Sequence, residues 1–280
     1  MEERNLKKWS EFRNVVDDIR NKYGYHEYLL GNDKTHKSKN IVLFRGQQSA
    51  EWHLETTLER KSEKVFSVYQ YLSRATKLVH ELEAYTGREW GIQDMPLIQK
   101  EIAEKQDSLF GPYIPHYNYL VYLRHHGYPS PLLDWSESPY IAAYFAMAES
   151  SQDEEVAIFV YVDTTNSVKS FHEDSPIIKV LGPFVSTDKR HFIQQAWYTI
   201  ATRWVAEESQ HKFCSHHEIF DQPNPRSTQD LLIKITIPAS ERIVALKELY
   251  DHNINQFTLF QTEDSLVKAL STKYFDLSEI

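Results

Sequence analysis

Cysteine, glycine and positive charge are all in short supply. The lone cysteine, Cys214, cannot close an internal disulfide, which excludes a disulfide scaffold and a cysteine-only zinc site and fits a reducing compartment. Eight glycines in 280 residues leave no G-x-G-x-x-G and no G-x-x-x-x-G-K-[ST], so dinucleotide-fold and P-loop readings are poor. No run of about 18 apolar residues is present, and the opening MEERNLKKWSEF lacks the apolar stretch and cleavage site of a secretory signal; a cytoplasmic protein with no membrane contact is expected. Lysine and arginine number 31 against 40 aspartates and glutamates, a formal charge of −9, which argues against a general nucleic-acid coat and leaves room only for a local basic groove. What the chain has in plenty is aromatics: 17 Tyr, 14 Phe and 6 Trp within a hydrophobic fraction of 41%, enough to build a real core.

Periodicity organises the chain as an α+β protein: a mixed domain with a small sheet and a helix-rich N-terminal half. Leu6, Trp9, Phe12, Val15, Val16 and Ile19 are spaced by three and four, which predicts an amphipathic helix over 6–23; the polar residues 31–40 read as a loop. These form an N-terminal helix and loop over 1–39, ahead of a domain spanning 40–280. NIVLF (40–44) reads as a strand punctuated by Arg45-Gly46-Gln47. Helices are predicted over 57–84, 97–108 and 117–126, the last closed by Gly127 with Pro129 and Pro131 beyond. Ser138 caps a helix over 140–147, and EVAIFVYVD (155–163) is the clearest strand. A Ser, Pro and Asp-rich loop then leads to a strand at 177–180, an aromatic helix around 192–205, and a loop over 210–229. A strand at 231–237, a helix at 239–252, a last strand at 255–260 and a helix at 264–270 complete the chain.

Three segments carry motifs: IVLFRGQQSAEWHLETTLER (41–60), YLVYLRHHGYPSPLLDWSESPYIAAYFAMAE (119–149) and DKRHFIQQAWYTI (188–200). Together they resemble the FRG-domain family, whose Phe-Arg-Gly stands here as Phe44-Arg45-Gly46, followed by Trp52 and Arg60, then His126-Gly127-Tyr128-Pro129, Leu132-Leu133-Asp134-Trp135 and Tyr144-Phe145-Ala146, then Arg190 with Gln194 and Gln195. The resemblance extends in order to the C-terminus. Two departures stand out. Ser130-Pro131 replaces the family's Thr-Arg, removing a positive charge from the central motif, and Leu259-Phe260-Gln261-Thr262 replaces Leu-Phe-Pro-Asp, so the family's acidic group survives only in a shifted register at Glu263-Asp264. A more distant resemblance is to ADP-ribosyltransferases, through Arg45-Gly46, Ser136 or Ser138 with Tyr144-Phe145-Ala146, and Glu263.

The residues themselves support two readings each. Arg45, after an apolar strand and before Gly46, presents a permanent guanidinium fork to an anionic oxygen where backbone can approach a ligand, or forms a structural pair with Asp134. Gln47 assists by hydrogen bonding or caps a turn. His126 at a helix end is the better of two neighbouring histidines for general acid–base work, or simply satisfies helix carbonyls. Asp134 orients His126 or neutralises Arg45; Trp135 stacks on a base or sits in the core; Ser136 presents a hydroxyl or caps a helix. Arg190 and Gln194 share a helical face suited to a phosphate and an amide. Glu263 is the carboxylate that ADP-ribosyl chemistry would require, or an ordinary first-turn acid. His211, Cys214, His216 and His217 match no standard zinc spacing, so no metal is expected.

From the resemblance follow the functional expectations: a bacterial enzyme acting on NAD or a nucleotide, by ADP-ribosyl transfer or NAD hydrolysis, in a toxin or phage-defence role. Its catalytic set would be Arg45, His126, Asp134 and Glu263; its binding set Gly46, Gln47, Trp135, Ser136, Arg190 and Gln194. NAD is the expected substrate, with a protein or nucleic-acid acceptor. The alternative is a sensor module that binds a nucleotide or nucleic acid without chemistry.

Overall fold

The computed structural model describes residues 1–30, 34–105, 111–150, 154–164, 176–221 and 230–278. A short strand β1 (Glu2–Asn5) precedes α1 (Phe12–Tyr23), shorter than the expected helix because Leu6 and Trp9 turn into the core before it begins. β2 (Tyr25–Leu30) and β3 (Lys34–Lys39) then form a separate antiparallel hairpin. The polar stretch expected as a loop is therefore largely strand; a two-stranded ribbon outside the main sheet satisfies its backbone by pairing alone and needs no apolar alternation. Residues 31–33 lie outside the described residues.

β4 (Ile41–Gln47) does not stop at Phe44. Arg45, Gly46 and Gln47, expected as punctuation, are strand residues paired with β6. The predicted helix over 57–84 is broken into α2 (Thr57–Lys61), α3 (Val68–Ala75) and α4 (Val79–Thr86): Ser67 with Gln70 forms a capping box that restarts the helix at α3, and a tighter 3-10 turn over Thr76–Leu78 separates α3 from α4. α5 (Met95–Lys105) follows, the remaining residues of that predicted helix, 106–108, being outside the described set. α6 (Tyr117–His125) ends at the left-handed Gly127, β5 (Leu133–Ser136) leads to α7 (Pro139–Met147), and the Ser138 hydroxyl accepts from Ile141 N at 3.4 Å as the α7 cap.

The second half holds β6 (Glu155–Asp163), β7 (Ile177–Leu181), α8 (Lys189–Ile193), β8 (Ala196–Val205), β9 (Gln210–Phe213), α9 (His217–Asp221), β10 (Asp230–Pro238), α10 (Arg242–Asp251), α11 (Gln256–Phe260) and α12 (Glu263–Ser271). Two expectations fail here. The aromatic segment read as a helix over 192–205 is the ten-residue strand β8, whose β-branched and aromatic residues are paired on both sides. The last expected strand, 255–260, is helix α11, started by the Asn255 side chain accepting from Thr258 N. The loop expected over 210–229 contains β9 and α9; residues 165–175 and 222–229, also expected as loop, lie outside the described residues.

The α+β class holds, with a main sheet of eight strands in the order β1-β10-β6-β4-β5-β8-β7 and β9 added to β8. β1 runs parallel to β10; the other pairs are antiparallel. β6 is buried along both faces: Val156, Ile158, Val160 and Val162 join a core under α1, α7 and α10, while Ala157, Phe159 and Tyr161 face a second core containing Leu43, Leu133 and Trp135. A third core gathers α3, α5 and α6 around Leu132 and Tyr198. Leu6, Trp9, Phe12, Val16 and Ile19 sit in the α7 core, so the N-terminal helix shares the packing of the main sheet. Among the described residues no helix is long and apolar enough to cross a membrane.

Gly46 owes its place to that packing. Helix α7 lies directly on β4, and a Cβ on Gly46 would run into the Ala142 carbonyl oxygen and sit 2.7 Å from Ala146 N. Gly46 therefore accommodates a helix, where the sequence suggested room for a ligand. Gly46→Ala should force α7 off the sheet and lower the stability by about 1–3 kcal/mol or more. Chemical denaturation measures this, and an unchanged midpoint would contradict the close approach.

Candidate active site

The sheet parts between β4 and β5. These strands share one residue pair, Phe44 with Ser136, whereas β4 stays paired with β6 over seven residues and β5 with β8 over four. A cleft of about 370 Å³ opens at the parting, walled by residues of β4, β5, α6, α8 and β8. Because Leu43 and Phe44 pack into opposite cores, alternation along β4 sends Arg45 and Gln47 to the face away from α7.

Arg45 crosses the parting. Its Nη1 donates to the Asp134 backbone oxygen at 2.8 Å and to Asp134 Oδ2 at 3.0 Å, while Arg124 Nη2 of α6 donates to Asp134 Oδ1. Burial opposes the charge on Asp134, but the two guanidinium groups outweigh it and hold the carboxyl well below the usual carboxylate range. Burial likewise disfavours the Arg45 cation, and Asp134 offsets part of that cost. Two further arginines line the cleft. Arg190 donates from Nη1 to the His125 carbonyl at 3.1 Å and lies 3.8 Å from Asp188 Oδ1. Arg60 is exposed, and no side-chain partner for its guanidinium exists among the described residues. Four arginines thus face one aspartate in a protein whose net charge is −9.

Several expected residues frame this cleft rather than offer free groups to it. Trp135 is buried, its indole donating to Thr199 Oγ1 at 2.8 Å and packing against Tyr161. Ser136 Oγ donates to the Gln194 carbonyl at 2.8 Å and accepts from Ser138 N, and Gln194 Nε2 donates to the Leu259 carbonyl at 3.1 Å. Gln47 is buried, with Nε2 donating to the His53 carbonyl at 3.1 Å.

Two of the expected catalytic residues lie elsewhere. His126 is exposed, its ring tilted against Tyr122 and its Nε2 3.9 Å from Asp188 Oδ2, and it is not part of the cleft wall. Its neighbours Arg124 and His125 both are, while the roughly 100° rotation per helical residue carries His126, the next along, off the cleft side of α6. Glu263 is exposed in the first turn of α12, outside the cleft. Arg124 escapes the sequence reading because basic residues in a last helical turn are ordinary dipole partners, and His125 is passed over there for His126, which matches the family motif. Trp52, 54% exposed, lines the cleft as well and keeps a free aromatic face. The His211, Cys214, His216 and His217 group is dispersed: His211 bonds Thr202, His216 bonds Thr199 and His217 packs on His53. Among the described residues no cluster of histidine, cysteine and carboxylates is placed to hold a metal ion.

This constellation defines an arginine-lined cleft in an α+β fold. Residues 40–155 match the family model of the FRG domain, which supports the resemblance carried by Phe44-Arg45-Gly46. No curated protein and no solved structure matches the chain. The matched stretch supplies Arg45, Arg60, Arg124 and Asp134, while Arg190 and Tyr198 enter the cleft from beyond it.

Burial also governs the histidines behind the cleft. It lowers His125 to about 4 and His216 to about 3, with nearby arginine charge adding to the effect in both. Unfolding exposes these groups, which then take up protons near their ordinary value of 6.5. The unfolded chain therefore binds more protons as pH falls from about 6.5 toward 4, and stability drops across that window, by up to about 1.4 kcal/mol per pH unit for the fully buried His216. Melting temperature measured from pH 7 to 4.5 should fall, and less steeply in His216→Gln. A flat profile, or an unchanged slope in the variant, would contradict this assignment.

Proposed function

We propose that the cleft binds the phosphate groups of a nucleotide-class ligand, NAD included, and that the protein acts as a recognition module for it. The observation that carries this reading is the four-to-one excess of arginines over aspartate in a concave site of a protein that is acidic overall. Guanidinium groups bind phosphate oxygens through directed, charge-assisted hydrogen bonds, and inside a cleft those bonds are screened less than on an open surface. A cavity of about 370 Å³ is of the size that takes a small molecule. Arg45 and Arg124 are anchored by Asp134, so their remaining N–H groups are held in fixed directions before any ligand arrives. Arg60, exposed and without a side-chain partner among the described residues, is free to turn toward a bound anion.

ADP-ribosyl transfer or NAD hydrolysis at this site would need a carboxylate to stabilise the ribosyl centre as nicotinamide leaves. Asp134 is committed to two arginines and Glu263 stands outside the cleft, which favours binding over bond cleavage. Isothermal titration of the full chain with ADP and NAD at low salt should show saturable binding. Arg60→Ala, which removes no structural contact, should weaken it about tenfold or more, and added salt should weaken it further. No heat and no thermal shift at millimolar ligand would overturn the reading, and release of nicotinamide from NAD would replace it with the catalytic one.

A further inference from the structure

Helix α12 packs with its small side chains inward and its large apolar ones outward. Of its residues only Ser265 and Ala269 are buried, whereas Val267 is 66% and Leu270 42% exposed. The chain continues in a π-helical turn, Thr272–Asp276, where Tyr274 is 62% exposed and Phe275 more so. Both inward positions are already occupied by polar contacts. Ser265 Oγ accepts from Thr262 N at 2.8 Å in the capping box that starts α12, and the Tyr250 hydroxyl of α10 donates to the Ala269 carbonyl at 3.2 Å. An amphipathic helix ordinarily turns its apolar stripe to the core; this one turns it to the surface. Phe257 of α11, which packs beside α12, adds to the same exposed area. Apolar surface gathered in one place marks a face that another macromolecule covers.

The pattern along the stripe says what covers it. Glu263, Val267, Leu270 and Tyr274 follow one another at intervals of four, three and four, the spacing that forms the seam between two packed helices. Charge is segregated along that line. Glu263 and Asp264 stand in the first turn of α12, while Lys268 and Lys273 lie toward its end and just beyond. Of these four, only Lys268 has an ion-pair partner among the described residues, Glu149 at 3.8 Å, and both side chains of that pair are largely exposed. The helix is therefore acidic at its start, basic at its end and apolar between.

We infer that this face binds a second copy of the chain, the two α12 helices packing antiparallel about a twofold axis. Pairing centred between Val267 and Leu270 sets Val267 against the partner's Leu270, and Glu263 against the partner's Tyr274 and beside the partner's Lys273. The twofold repeats each contact, so both ends of the seam gain an acid–base pair and its middle is closed by apolar side chains. Parallel pairing would set Glu263 against the partner's Glu263. A partner of one charge sign would be opposed at one end of the helix, and an anionic membrane surface would be opposed by the two carboxylates of the first turn. The arrangement that satisfies the whole stripe is self-pairing. None of these residues lines the arginine cleft, so the inference is independent of what that cleft binds.

Sedimentation equilibrium on the full chain should show a dimer at micromolar concentration. Leu270→Glu sets a charge at the centre of the seam and should weaken association about thirtyfold or more. Far-UV circular dichroism of that variant should match the native chain, because the side chain it alters faces outward. Orientation is read from a charge exchange: Glu263→Lys and Lys273→Glu should each weaken the dimer about fivefold, and the double variant should recover most of the loss. A chain that stays monomeric up to its solubility limit, or a dimer indifferent to Leu270→Glu, would overturn the inference. Monomeric chain that pellets with phosphatidylcholine–phosphatidylserine vesicles, and fails to in Leu270→Glu, would assign the face to a membrane instead. A dimer broken by Leu270→Glu but not recovered by the charge exchange would overturn the antiparallel arrangement.

Discussion

One carboxylate holds the two halves of the sheet together at the point where its hydrogen-bond ladder runs out. Where β4 and β5 part after a single residue pair, Asp134 is gripped by Arg45 from one strand and Arg124 from helix α6, and its own backbone oxygen takes a further bond from Arg45. Without that bracket two cations would face each other across a gap with no counter-charge, and the Phe44–Ser136 pair alone would carry the strand pairing there. With it, the gap is kept open as a cleft, and the arginines keep most of their N–H groups for something else. The same interaction thus sets the shape of the site and its charge.

The rest of the cleft depends on this bracket in an ordered way. Gly46 lets α7 lie against β4, which fixes the far side of the strand that carries Arg45. Ser136 and Gln194 lash β5 to the end of α8 and on to Leu259, and so place Arg190 opposite. The Tyr198 hydroxyl joins two imidazoles, one of which lines the cleft. Three polar side chains that read as ligand contacts in the sequence, Gln47, Ser136 and Gln194, are in large part the framework that aims the arginines.

Much of this was legible before the structure, and the failures have physical reasons. Arg45 and Asp134 were paired as an alternative from charge and motif alone, and that pairing is present. The strand 155–163, buried on both faces, was readable from its unbroken apolar run, as was the Ser138 cap from its position before Pro139. Segment 196–205 misled because aromatic and β-branched residues in a ten-residue run suit a buried helix and a central strand equally until pairing decides. His126 misled because adjacent helical residues point in different directions, and only the tertiary setting shows which one meets the cleft. Arg124 brings a second guanidinium to Asp134 from the preceding helix, a placement with no signature in the local sequence.

The account stands or falls on the coupling of Arg45 to Asp134. A double-mutant cycle by denaturant unfolding of Arg45→Gln, Asp134→Asn and the pair measures it directly. Each single change should cost about 1–3 kcal/mol, less than for a fully buried pair because the Asp134 side chain is 43% exposed, and the double should cost clearly less than the two together. Losses that simply add, or single variants as stable as the native chain, would show that the bracket does not hold the cleft.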